Sequence, residues 1–448
     1  MHYVRAMLRI VTRYSLQRRL AAVLALVALL WLLPDPVGIY AGSVALGAVL
    51  LAVAIDFLRL PARAAVVVER EFPRNVGIGD HATGAYTISN RSARPLVVEL
   101  FDRFPALVKG GVHTQEFRIE SDSQQHIEIG ATGMTRGVAP LGVAGIRVRT
   151  NLGLVASSDT FEFDEDIRVI PSMTGVRRFR LLAMQQRLNT VGVRVLRRKG
   201  GGQAFANLRE YVRGDDPRFI DWKATSKKDK LITREFTVER SQTVITLVDA
   251  GRGMTQLSGN YPRFEHALSA ALILTDIASN SGDRVGTLVF DDEVRAYVPP
   301  QSSRGALQLI RDAFIPVVAT TREPDYASAF RFLAAHQSKR ALIVFFTDVI
   351  DTRASQALLA HVTRSAARHL VLVVALRNDA LYEAANVSTD GTATLLYESA
   401  AAEEVIQARD EVLHRMRRAG VIVLDVSPKT MTASVINQYL ELKNRGAL

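Results

Sequence analysis

"TVITLVDAGRGM", Thr243 to Met254, decides how the larger part of this chain is read. Its first half is an unbroken apolar and β-branched run. Strands without polar alternation are buried on both faces, and such burial belongs chiefly to parallel sheets. The run closes on Asp249, with Gly251 and Gly253 just beyond, so the chain turns where the strand ends. Runs of the same kind follow: "RVGTLVFDD", "VRAYVPP", "ALIVFFTD", "HLVLVVAL" and "GVIVLDV". Helical patterns separate them. In "RFEHALSAALILTDIASN" the residues Phe264, Leu268, Ala271 and Leu274 share a face. The piece "EEVIQARDEVLHRMRRAG" opens on Glu403 and Glu404, closes on Arg417 and Arg418, and stops at Gly420. This alternation predicts a doubly wound, Rossmann-type α/β domain over residues 243–448.

Upstream the texture changes three times. Residues 174–242 form a basic connector that includes "FRLLAMQQRL", "KGGGQ" and the dense motif "GDDPRFIDWKATSKKDK". Residues 61–173 hold short alternating runs such as "AVVVEREF", "PLVVELFDRF" and "DTFEFDEDIRVI", punctuated by Gly, Asn, Asp and Ser, which predict a β-sandwich-like domain. Within it "GIGDHATG" has the wrong spacing for a nucleotide fingerprint and reads as a turn between strands.

Residues 1–60 carry two apolar runs, "LAAVLALVALLWLL" and "VGIYAGSVALGAVLLAVAI", split by "PDP". A cleaved signal peptide would be followed by a hydrophilic segment, and here a second apolar run follows instead. The pair therefore predicts a two-helix transmembrane hairpin, with Gly38 and Gly42 spaced for close helix packing. Arg5, Arg9, Arg13, Arg18 and Arg19 precede the first run, none lies in the turn, and Arg59, Arg63 and Arg70 follow the second. The positive-inside rule then places both ends and the main body in the cytoplasm, giving a multi-pass protein of the cell's inner (plasma) membrane.

The chain has no Cys, which excludes disulfides, zinc–thiolate sites and thiol nucleophiles. Its net charge is +11, and Arg177 to Arg240 holds seventeen Lys or Arg against seven Asp or Glu. Such a stretch suits anionic lipid or an acidic protein. Nucleic acid is set aside because stacking aromatics are not interleaved with the charges. No Walker A loop, G-x-S-x-G elbow or H-E-x-x-H motif is present, and the nine His are scattered.

In a doubly wound sheet, ligands sit at the carboxyl ends of the strands, which here carry Asp249 and Asp348. A strand ending in Asp, a helix, a hairpin and a later strand ending "TD" resemble the von Willebrand factor type A (vWA) domain. The preceding "LREYVRGDDPRFIDWKATSKKDKLITREF" resembles the signature of the domain of unknown function 58 family. That resemblance implies a bacterial membrane protein with a transmembrane pair, a β-rich region and a vWA-like domain, partnered by a MoxR-type AAA+ ATPase. The vWA metal-ion-dependent adhesion site uses Asp-x-Ser-x-Ser, a Thr and a second Asp. In this chain the Ser positions are Gly251 and Gly253, and Pro324 stands near the expected Thr. The expectation is a degenerate site with no cofactor, in which the Arg252 guanidinium replaces the metal's charge beside Asp249. A hydrated Mg²⁺ on Asp249 and Asp348 is the alternative.

The signature motif offers Arg209, Glu210, Tyr211, Gly214, Asp215, Asp216, Arg218, Asp221 and Trp222. Alternating signs predict mutual ion pairs, among them Asp216 with Arg218, forming a clasp anchored by Trp222 on the α/β sheet. The same residues suit a docking surface. Together these readings predict a membrane-anchored, non-enzymatic scaffold whose vWA-like domain binds the ATPase. The competing expectation is a membrane-tethered hydrolase using Asp215, Asp216 or Asp221.

Overall fold

The computed structural model describes residues 13–34, 36–110, 115–177, 179–181, 184, 204–212, 215–228, 230–237, 242–302, 305–349, 352–386 and 393–446. The chain divides into two compact units, Met1–Ser172 and Met173–Leu448. "FRLLAMQQRL" lies partly, and "KGGGQ" wholly, outside the described residues.

The first unit opens with strand β1 (Tyr14–Leu16), helix α1 (Arg18–Leu30) and helix α2 (Val37–Arg59). Among the described residues eleven further strands follow: β2 (Val66–Glu71), β3 (Asn75–Gly77), β4 (His81–Asn90), β5 (Leu96–Asp102), β6 (Val108–Gly110), β7 (Gln115–Ile119), β8 (Ser123–Gly133), β9 (Gly137–Pro140), β10 (Val143–Arg149), β11 (Val155–Glu162) and β12 (Asp166–Ile170). They form a five-stranded sheet in the order β1-β11-β10-β5-β7 and a four-stranded sheet in the order β2-β4-β8-β6, with β3-β12-β9 beside them. Alternate residues point inward, so Val66, Val68, Tyr86, Ile88, Val98, Leu100, Ile127, Ile129, Ile146 and Val148 build one shared core. The segment "GIGDHATG" does turn between β3 and β4, with Gly79 at φ 75°.

Helix α2 is the one described helix long and apolar enough to cross a bilayer, with 23 residues and mean hydropathy 2.2. Helix α1 has 13 residues, about 20 Å at 1.5 Å per residue, short of a hydrocarbon core of about 30 Å. The two helices pack against each other through the glycines. A Cβ on Gly42 would stand 2.2 Å from the Trp31 indole nitrogen, and one on Gly38 would stand 2.4 Å from the Leu33 carbonyl oxygen. Both ends of this helix pair are tied to the β-sheets. Strand β1 pairs with β11, and the buried Asp56 near the end of α2 accepts hydrogen bonds from the Leu154 and Val155 amides at 2.8 and 2.9 Å.

The second unit begins with an antiparallel ribbon, β13 (Ala204–Glu210) and β14 (Ile232–Thr237), enclosing the short helix α3 (Trp222–Lys228). Its body is a six-stranded sheet of β15 (Thr243–Asp249), β18 (Arg284–Phe290), β19 (Val294–Gln301), β20 (Leu342–Thr347), β21 (Leu370–Leu376) and β22 (Ile422–Val426); the short β16 (Leu257–Ser258) and β17 (Tyr261–Pro262) form a hairpin apart from it. The order is β19-β18-β15-β20-β21-β22, parallel throughout except for β19, which returns antiparallel to β18. Among the described residues seven helices accompany the sheet: α4 (Arg263–Asn280), α5 (Gly305–Phe314), α6 (Tyr326–His336), α7 (Thr352–Ala366), α8 (Asp379–Ala385), α9 (Ala393–Arg418) and α10 (Pro428–Asn444). Val244 and Val248 face α4, α5 and α10 in one core; Ile245 and Leu247 face α6, α7 and α9 in another. Two apolar layers on one sheet require strands without polar alternation, the pattern "TVITLVD" displays.

Candidate functional site

Strand β15 has β18 on one side and β20 on the other, so the chain reverses its direction of travel across the sheet beside β15. Crevices open at the carboxyl ends of strands at such a reversal. Asp249 and Asp348 stand there, both buried. The Asp249 carboxylate accepts from the Gly251 amide at 2.7 Å, from the Thr347 hydroxyl at 2.7 Å and from the Tyr326 hydroxyl at 3.3 Å. Burial pushes its carboxyl up to about 6, and these three donors offset only part of the rise.

Asp348 takes a different partner. Arg263, the first residue of α4, is almost wholly buried and donates from Nη1 to Oδ2 at 2.5 Å. Burial raises the Asp348 carboxyl to about 6 despite this cation, and burial also lowers Arg263. Desolvation thus outweighs attraction for both members of the pair. Among the described residues, Oδ1 of Asp348 and Nε of Arg263 are buried without a hydrogen-bond partner. A third edge carboxylate, Asp291 after β18, is fully occupied by Arg295 Nε at 2.7 Å, Thr320 at 2.9 Å and the Glu293 amide at 3.1 Å.

The cation beside the edge is therefore Arg263, and the expectation for Arg252 is corrected. Arg252 is exposed and pairs with Glu323 at 2.8 Å, because its side chain leaves the turn toward solvent. The glycines are confined. A Cβ at Gly251 would lie 2.9 Å from Pro324 Cδ and 3.0 Å from the Arg322 carbonyl; one at Gly253 would lie 3.0 Å from Asp348 Cβ. Mg²⁺ needs near-octahedral oxygen ligands. With no side chain at 251 or 253, both Asp249 oxygens already accepting, and Asp348 engaged by a guanidinium, these residues do not fit it. Among the described residues no group of three or more His, Asp or Glu is arranged to hold a metal ion.

The acids of the signature motif are spent locally. Asp215 is buried and takes both guanidinium nitrogens of Arg209, at 2.7 and 2.8 Å, together with the Val212 amide at 3.1 Å. Its carbonyl accepts from the Tyr211 hydroxyl at 3.1 Å. Asp216 caps the 3₁₀ turn Pro217–Phe219 through the Arg218 amide at 3.0 Å, while the Arg218 guanidinium reaches it only at 3.4 Å. Asp221 accepts from the Ala224 amide at 3.0 Å and from Arg234 at 2.8 Å, and these bonds hold its carboxyl below the usual range. Glu210 pairs with Lys230 at 2.9 Å. Gly214 lies outside the described residues.

Trp222 does not anchor this motif on the sheet. It is 68% exposed at the start of α3, and Val212, Phe219 and Leu231 of the same ribbon are exposed as well. Pairing among alternating charges was legible; the outward Trp was not, because a large aromatic in a charged run ordinarily finds a core. Sequence reading also missed Arg263, Thr347 and Tyr326. Thr347 and Asp291 were visible as strand-end residues. Arg263 gave no signal, since its partner lies 85 positions away.

Residues 207–416 match the family described as "Protein of unknown function DUF58", whose description names no activity. The "Uncharacterized protein Rv1480" of Mycobacterium tuberculosis and the "Uncharacterized protein Mb1516" of Mycobacterium bovis are each 24% identical over 153 residues, which is 34% of this chain. The match spans 48%, about half, of the length of these relatives. Among solved structures, the CARDB domain of a Pyrococcus furiosus protein aligns at 15% identity and a TM-score of 0.17, covering 23% of this chain and 87% of that one. An Escherichia coli alpha-2-macroglobulin aligns at 15% identity and a TM-score of 0.18, covering 23% and 16%.

Proposed function

We propose that this chain is a membrane-anchored, non-enzymatic scaffold whose second unit is a vWA-like domain with a degenerate adhesion site. Its partner is a MoxR-type AAA+ ATPase, in a chaperone-like assembly or activation system, and ATP hydrolysis belongs to that partner. The observation that carries the reading is the set of exposed apolar side chains on the motif ribbon. Trp222, Phe219, Val212 and Leu231 are exposed beside Arg218, and exposed Trp and Arg within a polar rim are the residues that dominate protein interfaces. The strand order and the two edge aspartates support the vWA likeness, and the crowding around Gly251 and Gly253 supports loss of the metal.

In this reading α1 and α2 form a hairpin in the inner membrane with the body in the cytoplasm. Support comes from the tethering of both helix ends to the β-sheets, which keeps them on one side. Photo-crosslinking in cells from position 212, exposed on the same ribbon with Trp222 left in place, tests the partner directly. It is expected to capture an AAA+ ATPase, and Trp222→Ala is expected to abolish its co-purification without changing membrane retention or melting temperature. Repeated capture experiments without any AAA+ ATPase would remove the reading.

A further inference from the structure

The first unit holds a pocket of about 210 Å³ at the point where α2 leaves its apolar stretch, lined by Arg59, Arg94, Thr150, Asn151 and Leu152 among others. We propose that it binds the phosphate of an anionic phospholipid headgroup. The proposal rests on reading α2 as a membrane span. Its 23 residues run about 35 Å against a hydrocarbon core of about 30 Å, which puts Arg59, the last of them, at headgroup level.

The cations are free to receive an anion. Arg59 and Arg94 are exposed, and neither forms an ion pair with any acid among the described residues. The loop carrying Arg94 is fixed: the buried Asn90 donates to the Arg94 carbonyl at 2.8 Å and the Ser92 hydroxyl does so at 3.0 Å. Arg19, likewise outside any such ion pair, lies against Gly153, where a Cβ would be 3.3 Å from its Nη1. Guanidinium groups take phosphate oxygens in pairs, and the two in this lining, with the nearby Asp56 carboxylate already spent on the Thr150 hydroxyl and the Leu154 and Val155 amides, favour a headgroup with net negative charge over a zwitterionic one.

The lining includes an exposed leucine, Leu152, and a second exposed leucine lies on the neighbouring strand β1. The second, Leu16, stands opposite Val155 in the β1–β11 register, close to the loop that carries Leu152. A soluble anion site has no use for such leucines, whereas a lipid needs them.

The full chain reconstituted in nanodiscs of equal phosphatidylcholine and phosphatidylglycerol provides the test, with the retained lipid ratio read by native mass spectrometry. The wild type is expected to enrich phosphatidylglycerol several-fold, and Arg59→Gln with Arg94→Gln to return the ratio to bulk. Arg63→Gln serves as the control, because Arg63 is equally near the end of α2 but is bonded to the Thr160 carbonyl at 2.9 Å. It is expected to keep the enrichment. Single Arg94→Gln, on a loop held by its own backbone bonds, guards against misfolding of the double variant.

An unchanged ratio in the Arg94 variants overturns the proposal, as does an equal loss with Arg63→Gln, which would make the attraction diffuse. Protection of detergent-solubilised wild type by inorganic phosphate, absent in Arg94→Gln, would assign the pocket to a soluble anion and overturn the lipid. Should every variant, and the wild type, fail to fractionate with membranes, the span reading itself falls, which is a different result from loss of enrichment alone.

Discussion

Asp249 is a buried acid whose hydrogen-bond donors, the Gly251 amide and the Thr347 and Tyr326 hydroxyls, are all neutral. Burial pushes its carboxyl up to about 6 from an ordinary 3.8. The native state therefore keeps its proton to higher pH than the unfolded chain does. Stability from this group is greatest below the unfolded value and falls as pH rises toward 6, beyond which the penalty is constant. Asp249→Asn removes the ionisation, and its amide can donate to the two hydroxyls, which accept as readily as they donate. The variant is expected to gain about 1–3 kcal/mol over wild type at pH 7.5 and to lose that gain near pH 4. Melting curves at the two pH values decide it; an equal difference at both would show that Asp249 does not titrate this way.

At the scale of the element, the ribbon β13–β14 shows how a charged motif divides its tasks. Asp216 and Arg218 form a loose pair at the surface, with Arg218 88% exposed, and such pairs contribute about 0–1 kcal/mol. The larger task of Asp216 is to cap the turn at Pro217 through the Arg218 amide. Exchanging the two residues keeps the pair and destroys the cap, since Arg at position 216 has no acceptor. The double exchange is expected to cost about 0.5–2 kcal/mol, while Asp216→Asn stays within a few tenths of wild type in denaturant titrations. A double exchange as stable as wild type would return the pairing to first place. The sequence alone made the charges and the turn legible, because both are local. It made "RFEHALSAALILTDIASN" legible as a helix from Arg263 to Asn280 for the same reason. It did not reveal that α9 begins at Ala393, ten positions before Glu403, since Glu403 and Glu404 read as the acidic first turn of a helix and drew the start to themselves. Nor did it reveal Arg263 as the partner of Asp348, or the outward turn of Trp222, because both depend on which surfaces the fold leaves uncovered.

For the molecule as a whole, the decisive join within the first unit is Asp56. This carboxylate lies fully buried near the end of α2, accepts from the Thr150 hydroxyl, and receives the Leu154 and Val155 amides at 2.8 and 2.9 Å. An acid in a helix otherwise read as a membrane span is costly unless it is completely bonded, and here the β-sheet loop supplies the donors. The helix and the sheets of the first unit should therefore move as one body. Asp56→Ala leaves two amides and a hydroxyl without their acceptor, a loss of about 3–6 kcal/mol if each costs about 1–2. Asp56→Asn should cost much less, since its oxygen can still accept from the amides while its NH₂ donates to Thr150. Because the apolar face of α2 is untouched, both variants should remain in the bilayer. The expected signature in nanodiscs is fast hydrogen exchange at Leu154 and Val155 in the Ala variant, slower exchange in the Asn variant, and slowest in wild type. Slow exchange at those two amides in Asp56→Ala would mean that strand pairing alone holds the loop, and that α2 is coupled to the sheets through β1 instead.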